Sequence, residues 1–453
     1  MTSARKITLA LIALDALAVV ASFNLVAWAR GLVDLNHPII SALFLPVLIH
    51  WLGVYLIDGY SSRTDMMSIT YASLHVIAQA GVLLVTLLLT YAFIPGGFQL
   101  QSSRLVTAVS YLAVIPLSLG YRRMFYQRQL ARMQRHFFLF LGSRENYEAF
   151  AEECRKHGMS QGVLNATRQP APATGGDDGT KSAGDVLHLL KEYEGRIDAI
   201  ILRESSQELP PAIAQRLVEL SFSGLPTYTL ELFHQVYWRK IPLYRLNQTW
   251  LFQEGFQIAR EPVFERLKRL SDILFSALGL LLFAPFFPFI AAAIWLTDRG
   301  PVFFHQTRVG RNRVLFEAYK LRSMRVQHAG DPYTRPDDDR ITPIGRFLRA
   351  TRLDEVPQLW NVFRGDMSII GPRAEWVRLV EEYERQIPCY HFRHLVKPGI
   401  TGWAQVNYPY GANLEDTLRK LEYDLYYIRF FSFVLDASIT LKTIHVMLFG
   451  KGR

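Results

Sequence analysis

Hydrophobic positions along this 453-residue chain fall into long blocks rather than the even mixture of a single soluble domain. Four apolar stretches come first: Ile7–Ala29, Pro38–Ile57, Ile69–Ile94 and Leu105–Leu119. Each is long enough, or nearly so, to cross about 30 Å of hydrocarbon as a helix. Arg5 and Lys6 precede the first stretch, and Arg122, Arg123, Arg128, Arg132 and Arg135 follow the fourth. Basic flanks favour the cytoplasmic side, so an even number of crossings places both termini there. Residues 1–121 therefore read as four transmembrane helices.

From His136 the pattern changes. Phe137–Leu141, Ala199–Leu202 and Pro226–Leu230 have strand character, and Asn146–His157 and Pro211–Phe222 have helical character. Alternation of this kind predicts a small, cytoplasmic, Rossmann-like α/β module over residues 136–250 with a parallel sheet. Ala166–Asp185, rich in Gly, Pro, Ala and Asp, reads as a flexible loop within it. A dinucleotide site wants a glycine-rich turn after the first strand, and only Gly142-Ser143 stands there. A regulatory or assembly module fits better than a cofactor domain.

Ile273–Thr297 is apolar and long enough to span, yet Pro285 and Pro288 interrupt it. Arg266, Lys268 and Arg269 flank it on one side, and Arg308, Arg311 and Arg313 on the other. Two basic flanks ask for the same side of the membrane, which a single crossing forbids. A proline inside a helix removes a backbone hydrogen bond and forces a kink. The twelve residues Ile273–Ala284 rise only about 18 Å, too little to cross. The segment is read as a re-entrant helical hairpin that dips into one leaflet, against the alternative of a proline-kinked span.

Composition sharpens this picture. The chain is 50% hydrophobic and 20% charged, with a net charge of +10. Such a balance suits anionic partners: phospholipid headgroups, phosphorylated lipids or nucleotides. Nucleic acid is disfavoured, because the arginine clusters lie beside apolar segments and no nucleic-acid motif accompanies them. Cys154 and Cys389 offer neither a disulfide framework nor metal-ligand spacing. The first apolar segment runs past signal-peptide length without a clean small-residue cleavage site.

The remaining third of the chain sets carboxylates among arginines. Lys320, Arg322 and Arg325 precede Asp337-Asp338-Asp339-Arg340; Arg346, Arg349 and Arg352 precede Asp354-Glu355; Arg364, Asp366 and Arg373 close the run. Gly345, Gly365, Gly371, Pro357 and Pro372 break it into loops, and loops of arginines hold phosphates through charge-assisted hydrogen bonds. Pro357 places Asp354-Glu355 at the opening of a helix. Acidic residues there are ordinary helix stabilisers; equally, an ionised carboxylate there can attack phosphorus.

The stretch from Arg349 to Arg373, Arg-Ala-Thr-Arg-Leu-Asp-Glu-Val-Pro-Gln-Leu-Trp-Asn through Gly371-Pro372-Arg373, closely resembles the core motif of the bacterial sugar transferases. These are the polyprenyl phosphate phosphoglycosyl transferases with a monotopic core. The likeness extends upstream through Gly300-Pro-Val-Phe-Phe, Arg308-Val-Gly-Arg and Tyr319-Lys-Leu-Arg. Downstream it takes in Lys397-Pro-Gly-Ile-Thr-Gly-Trp-Ala-Gln-Val-Asn407 and Glu422-Tyr-Asp-Leu-Tyr-Tyr. Four spans with an α/β module resemble the long form that begins exopolysaccharide, capsule or O-antigen repeat units.

The resemblance implies transfer of a sugar-1-phosphate from a UDP-sugar to polyprenyl phosphate, with release of UMP. It implies Asp354 as the covalent nucleophile, Glu355 as its dyad partner, and Mg²⁺ held by this pair. Arg349 and Arg373 become phosphate ligands, with Pro372 shaping their loop. Lys320, Arg322, Gln405, Asn407 and Asp424 join the substrate-binding candidates, and Pro285 becomes the break in the re-entrant helix. Arg352 and Ala284 depart from the pattern, where many relatives carry a small hydroxyl residue and some a serine. The expected architecture is a membrane α-helical bundle, the α/β module, and an α+β catalytic core over residues 262–453 carrying the hairpin. The expected location is the bacterial inner membrane, with the catalytic domain cytoplasmic and a second copy of the chain as a candidate partner.

Overall fold

Unbroken apolar runs in lipid must satisfy their backbone internally, and here they form helices. The computed structural model describes residues 3–34, 36–61, 64–93, 103–159, 161–166, 180–193, 195–202, 211–243, 262–325, 338–408 and 413–449. They divide into two units, Met1–Arg239 and Lys240–Arg453.

The first unit opens with α1 (Ser3–Ala29), α2 (Phe44–Leu56), α3 (Ile69–Phe93) and α4 (Arg104–Met133). Three of these, over Lys6–Ala29, Ile69–Thr90 and Arg104–Leu130, are long and apolar enough to cross a membrane. The second is not. Its α-helix has 13 residues and rises about 20 Å, because Pro38–Ile40 stays non-helical and the run starts late. Leu17, Leu84, Leu88 and Leu112 stay exposed on the outside of the bundle, as lipid-facing positions do. Inside, Val19, Phe23, Val47, Val82, Tyr111 and Val114 form the core. Gly53 lets α2 and α3 close up, since a Cβ there would lie 2.3 Å from Val82 Cγ2.

One pair inside the bundle is charged. Arg122 Nη1 donates to Asp15 Oδ1 at 2.8 Å, and both side chains are fully buried. The hydroxyls of Tyr60 and Tyr121 donate to the same carboxylate. Charges in hydrocarbon persist when paired and hydrogen-bonded. Arg122 is therefore an internal charge and drops out of the basic flank counted from the sequence.

The α/β module follows as β1 (Phe137–Leu141), α5 (Arg144–Lys156), β2 (Gly162–Asn165), α6 (Thr180–Glu192), β3 (Ile197–Leu202), α7 (Pro211–Phe222) and β4 (Thr227–Thr229). Its four strands are parallel, in the order β2-β1-β3-β4. β1 reads Phe-Phe-Leu-Phe-Leu because a central parallel strand is covered on both faces. The predicted loop over Ala166–Asp185 is shorter than expected: residues 180–185 already belong to α6, whose Val186 and Leu190 are buried. Residues 167–179 and 244–250 of the predicted module lie outside the described residues.

The second unit carries α8 (Pro262–Phe283) and α9 (Phe287–Asp298), a pair bent by 65° at the break that contains Pro285. Pro288 sits in the first turn of α9, where its missing N–H costs nothing. A bend of this size fits either a broken span or a re-entrant loop. The break falls where expected, but α8 also extends back to Pro262 through its polar half. Arg269 there donates to the carbonyls of Val362 and Phe363, both at 2.6 Å. Lys268 binds Asp436 at 2.5 Å. These flanking cations are thus fastened within the unit.

Beyond the bend come β5 (Phe303–Val309), β6 (Leu315–Leu321), α10 (Pro343–Ala350), α11 (Gln358–Arg364), β7 (Ser368–Ile370), α12 (Val377–Gln386), β8 (Gly399–Thr401), α13 (Trp403–Asn407), α14 (Leu414–Phe430) and α15 (Phe433–Phe449). β5 and β6 pair antiparallel; β7 and β8 pair parallel. Tyr390, Trp403, Leu421, Leu425, Tyr427, Ile428 and Ile439 make the core beneath β7 and β8. Glycines let the loop after β7 approach its neighbour closely. A Cβ on Gly399 would stand 2.1 Å from Gly371 N, and one on Gly402 would stand 2.2 Å from Gly371 O.

Candidate active site

Asp354 and Glu355 sit in a single 3-10 turn, Leu353–Glu355, between α10 and α11. Arg352 enters this turn at φ 58°, in the left-handed region that few side chains other than glycine adopt. The pair therefore precedes the helix rather than opening it, as Pro357 caps the seven-residue α11. The N–H groups of Glu355 and Val356 are occupied by the carbonyls of Arg352 and Leu353, both at 3.2 Å. Basic side chains, not free amides, set the local field.

Glu355 is buried and accepts from Lys320 Nζ on β6 at 2.6 Å and from Arg373 Nη2 at 3.4 Å. Burial works to raise its pKa, but Lys320 and Arg373 outweigh this and hold the carboxyl well below the usual range. Asp354, equally buried, goes the other way. Burial lifts its pKa above the ordinary value, with Lys320 opposing and the neighbouring Glu355 adding to the rise. Its Oδ1 is buried and has no hydrogen-bond partner among the described residues. An acceptor left this way costs stability unless a group from outside the chain completes it. Two adjacent carboxylates are thus driven apart: one pinned by cations and shifted down, the other shifted up with Oδ1 unpartnered among the described residues.

Around the dyad, Arg349 at the end of α10 donates to Ser323 Oγ at 2.9 Å and acts on Asp354 by charge. Gly345 makes this packing close, since a Cβ there would meet Ser323 O at 2.0 Å. Pro372 offers its carbonyl to Gly399 N at 2.9 Å and so fixes the loop that carries Arg373. The fold brings Lys320, Arg349, Asp354, Glu355 and Arg373 together.

The other candidates are engaged within the fold. Arg322 is buried and reaches the carbonyl of Ile294 on α9 at 3.4 Å. Asn407 donates to Trp403 O and accepts from Lys442 Nζ, both at 2.8 Å. Gln405 donates to Ile400 O at 3.1 Å, and its Oε1 is buried without a partner among the described residues. Asp424 is paired with Arg393 at 2.9 Å. Asp338 is bound by Arg340, while Asp337 lies outside the described residues.

Two cations near the dyad are not among the site residues expected from the sequence, where Arg308 is only a flank and a motif residue. Arg308, inside a quoted motif, is half-buried, donates to Ala374 O and adds its charge beside Glu355 and Arg373. Arg393 had no local signal, being one basic residue in a mixed stretch.

Residues 263–450, which contain every residue of this site, match the bacterial sugar transferase family. The chain is 36% identical over 259 residues to a UDP-N-acetylgalactosamine-undecaprenyl-phosphate N-acetylgalactosaminephosphotransferase of Aeromonas hydrophila, covering 57% of this chain and 60% of that protein. It is 44% identical over 182 residues to the UDP-glucose:undecaprenyl-phosphate glucose-1-phosphate transferase of Escherichia coli K12, covering 39% of each. It is also 42% identical to the exopolysaccharide production protein PSS of Rhizobium leguminosarum bv. phaseoli, covering 39% of this chain and 93% of that protein. The chain thus spans less than two thirds of the first two relatives and nearly all of the third. Motif order, dyad geometry and this shared sequence have one reading: the chain belongs to the bacterial sugar transferase family.

Proposed function

We propose that this protein transfers a sugar-1-phosphate from a UDP-sugar to polyprenyl phosphate, at the cytoplasmic face of a bacterial inner membrane. This is the first membrane step of exopolysaccharide, capsule or O-antigen assembly. The observation that carries the reading is the buried, unpartnered Oδ1 of Asp354 beside a Glu355 already held by Lys320 and Arg373.

In the first step Asp354 Oδ1 attacks the phosphorus that bears the sugar. The bond from that phosphorus to the bridging oxygen breaks, UMP leaves with the electron pair, and an aspartyl-phosphosugar remains. In the second, an oxygen of polyprenyl phosphate attacks the same phosphorus. The aspartyl bond breaks, returning a free carboxylate and a lipid diphosphosugar. Arg349 and Arg373 offset charge on the diphosphate, and Lys320 keeps Glu355 ionised so that Glu355 holds Arg373 in place.

Mg²⁺ is the proposed cofactor. Among the described residues no group of three or more His, Cys, Asp or Glu gathers as a metal centre. Asp354 and Glu355 nevertheless suit a hard cation that takes most of its shell from water and phosphate oxygens. When bound, the ion supplies neutralising charge to the diphosphate.

The test offers the purified full-length protein a panel of UDP-sugars with polyprenyl phosphate and measures UMP release. Lipid-dependent release with at least one donor is expected. Silence across the panel, or release by Asp354→Ala, contradicts the proposal. A second measurement follows from the charges. Lys320 opposes the rise of the Asp354 pKa, so Lys320→Met lets that pKa climb further. Because the ionised form attacks, the acid limb of kcat should then move to higher pH. An unmoved limb would separate Lys320 from Asp354.

A further inference from the structure

The catalytic unit begins before the family-matched stretch does. Lys240–Leu243 precede residue 263, yet Ile241 is fully buried in the same core as Trp403, Leu421 and Leu425. Ile241 N–H donates to the carbonyl of Glu422 at 3.0 Å. Leu243 N–H donates to Glu422 Oε1 at 3.1 Å, and Lys240 Nζ lies 3.5 Å from Oε2. Glu422 is fully buried on α14, so three residues of this short segment hold its carboxylate and its backbone carbonyl at once.

Helix α14 passes this constraint to the active-site loop. Residues two apart on a helix face different ways, so Asp424 points away from the side that Glu422 occupies. Asp424 Oδ2 accepts from Arg393 Nη2 at 2.9 Å. The same nitrogen donates to the backbone carbonyl of Arg373 at 2.9 Å. One turn on, the Tyr427 hydroxyl lies 3.2 Å from the carbonyl of Ile370. Both ends of the segment Ile370–Arg373 are therefore held from α14, and Arg373 faces Glu355.

We propose that Lys240–Leu243 is a strap that positions Arg373 at the dyad, acting through Glu422, α14, Asp424 and Arg393. Asp424 and Arg393 are then positioning residues rather than substrate ligands. The proposal rests on the reading of the dyad as the phosphosugar-transfer site. It also explains why the catalytic unit of this chain does not begin at the family boundary: removing the strap strips Glu422 of its backbone donors.

The experiment uses the full-length protein and records kcat, KM for the UDP-sugar and the melting temperature. Arg393→Met is expected to lower kcat about tenfold or more while KM moves less than about threefold, and Arg393→Lys should recover part of the loss. Ile241→Ala, which touches no residue of the dyad, should give the same split. If it does not fold, Lys240→Met, which removes only the ammonium facing Glu422, replaces it. The double variant should lose little more than Arg393→Met alone, because both act along one path. Folded strap variants with kcat within about twofold of wild type, or losses that multiply in the double variant, overturn the strap. An active wild type with an unaffected Arg393→Met sinks this proposal alone. A wild type silent with every donor sinks the transfer reading, and this one with it.

Discussion

Asp354→Asn is expected to abolish both UMP release and the retention of labelled sugar-phosphate on the protein, with a loss of about three orders of magnitude or more. The substitution preserves shape, so it leaves the 3-10 turn and the left-handed Arg352 undisturbed. What it removes is a buried carboxylate oxygen of the dyad that has no hydrogen-bond partner among the described residues. An amide oxygen in that place cannot form the acyl-phosphate. Turnover above about a tenth of wild type would remove Asp354 from the nucleophile's role. Glu355→Gln tests the other half of the dyad. It leaves Lys320 and Arg373 facing a neutral amide, so turnover should also fall steeply.

Pro285→Leu combined with Pro288→Leu is the second large effect. In the native chain α8 and α9 are bent by 65° at the break, so the two do not form one straight helix. Leucine at both positions restores backbone donors and a continuous apolar helix. Ile273–Thr297 would then extend about 37 Å, enough to cross with some tilt. A straight helix also pulls α9 off its seat, where Ile294 packs with Leu321 and Leu348 and offers its carbonyl to Arg322. Activity should be lost as the catalytic unit is carried away from its nucleotide sugar. The topology is read with Leu267→Cys and Thr307→Cys in a chain lacking Cys154 and Cys389. With the prolines in place both positions should label from one side of the membrane; with both leucines they should label from opposite sides. Opposite labelling in the native background would replace the re-entrant reading with a kinked span.

Local pattern was enough for whatever depends on local pattern. The apolar blocks gave α1, α3 and α4, and the run Phe137–Leu141 gave the central strand to the residue. Pro285 marked the break because a missing N–H acts within one turn, wherever the helix goes. The dyad was legible because Asp354, Glu355 and the Gly371-Pro372-Arg373 loop sit in motifs whose order is itself the signal.

What the sequence could not decide was partnership across distance. Arg122 looked like one more flanking cation until the packing of α1 against α4 set it on Asp15, 107 residues away. Asp354-Glu355 looked like a helix start, but Arg352 in the left-handed region turned it into a separate bend whose field comes from Lys320, 35 residues upstream. Asp424 looked like a substrate ligand and proved to be tied to Arg393, a residue with no local mark. A charge's role depends on which opposite charge the fold places within a few ångströms and how much water it excludes, and neither quantity has a period in the sequence.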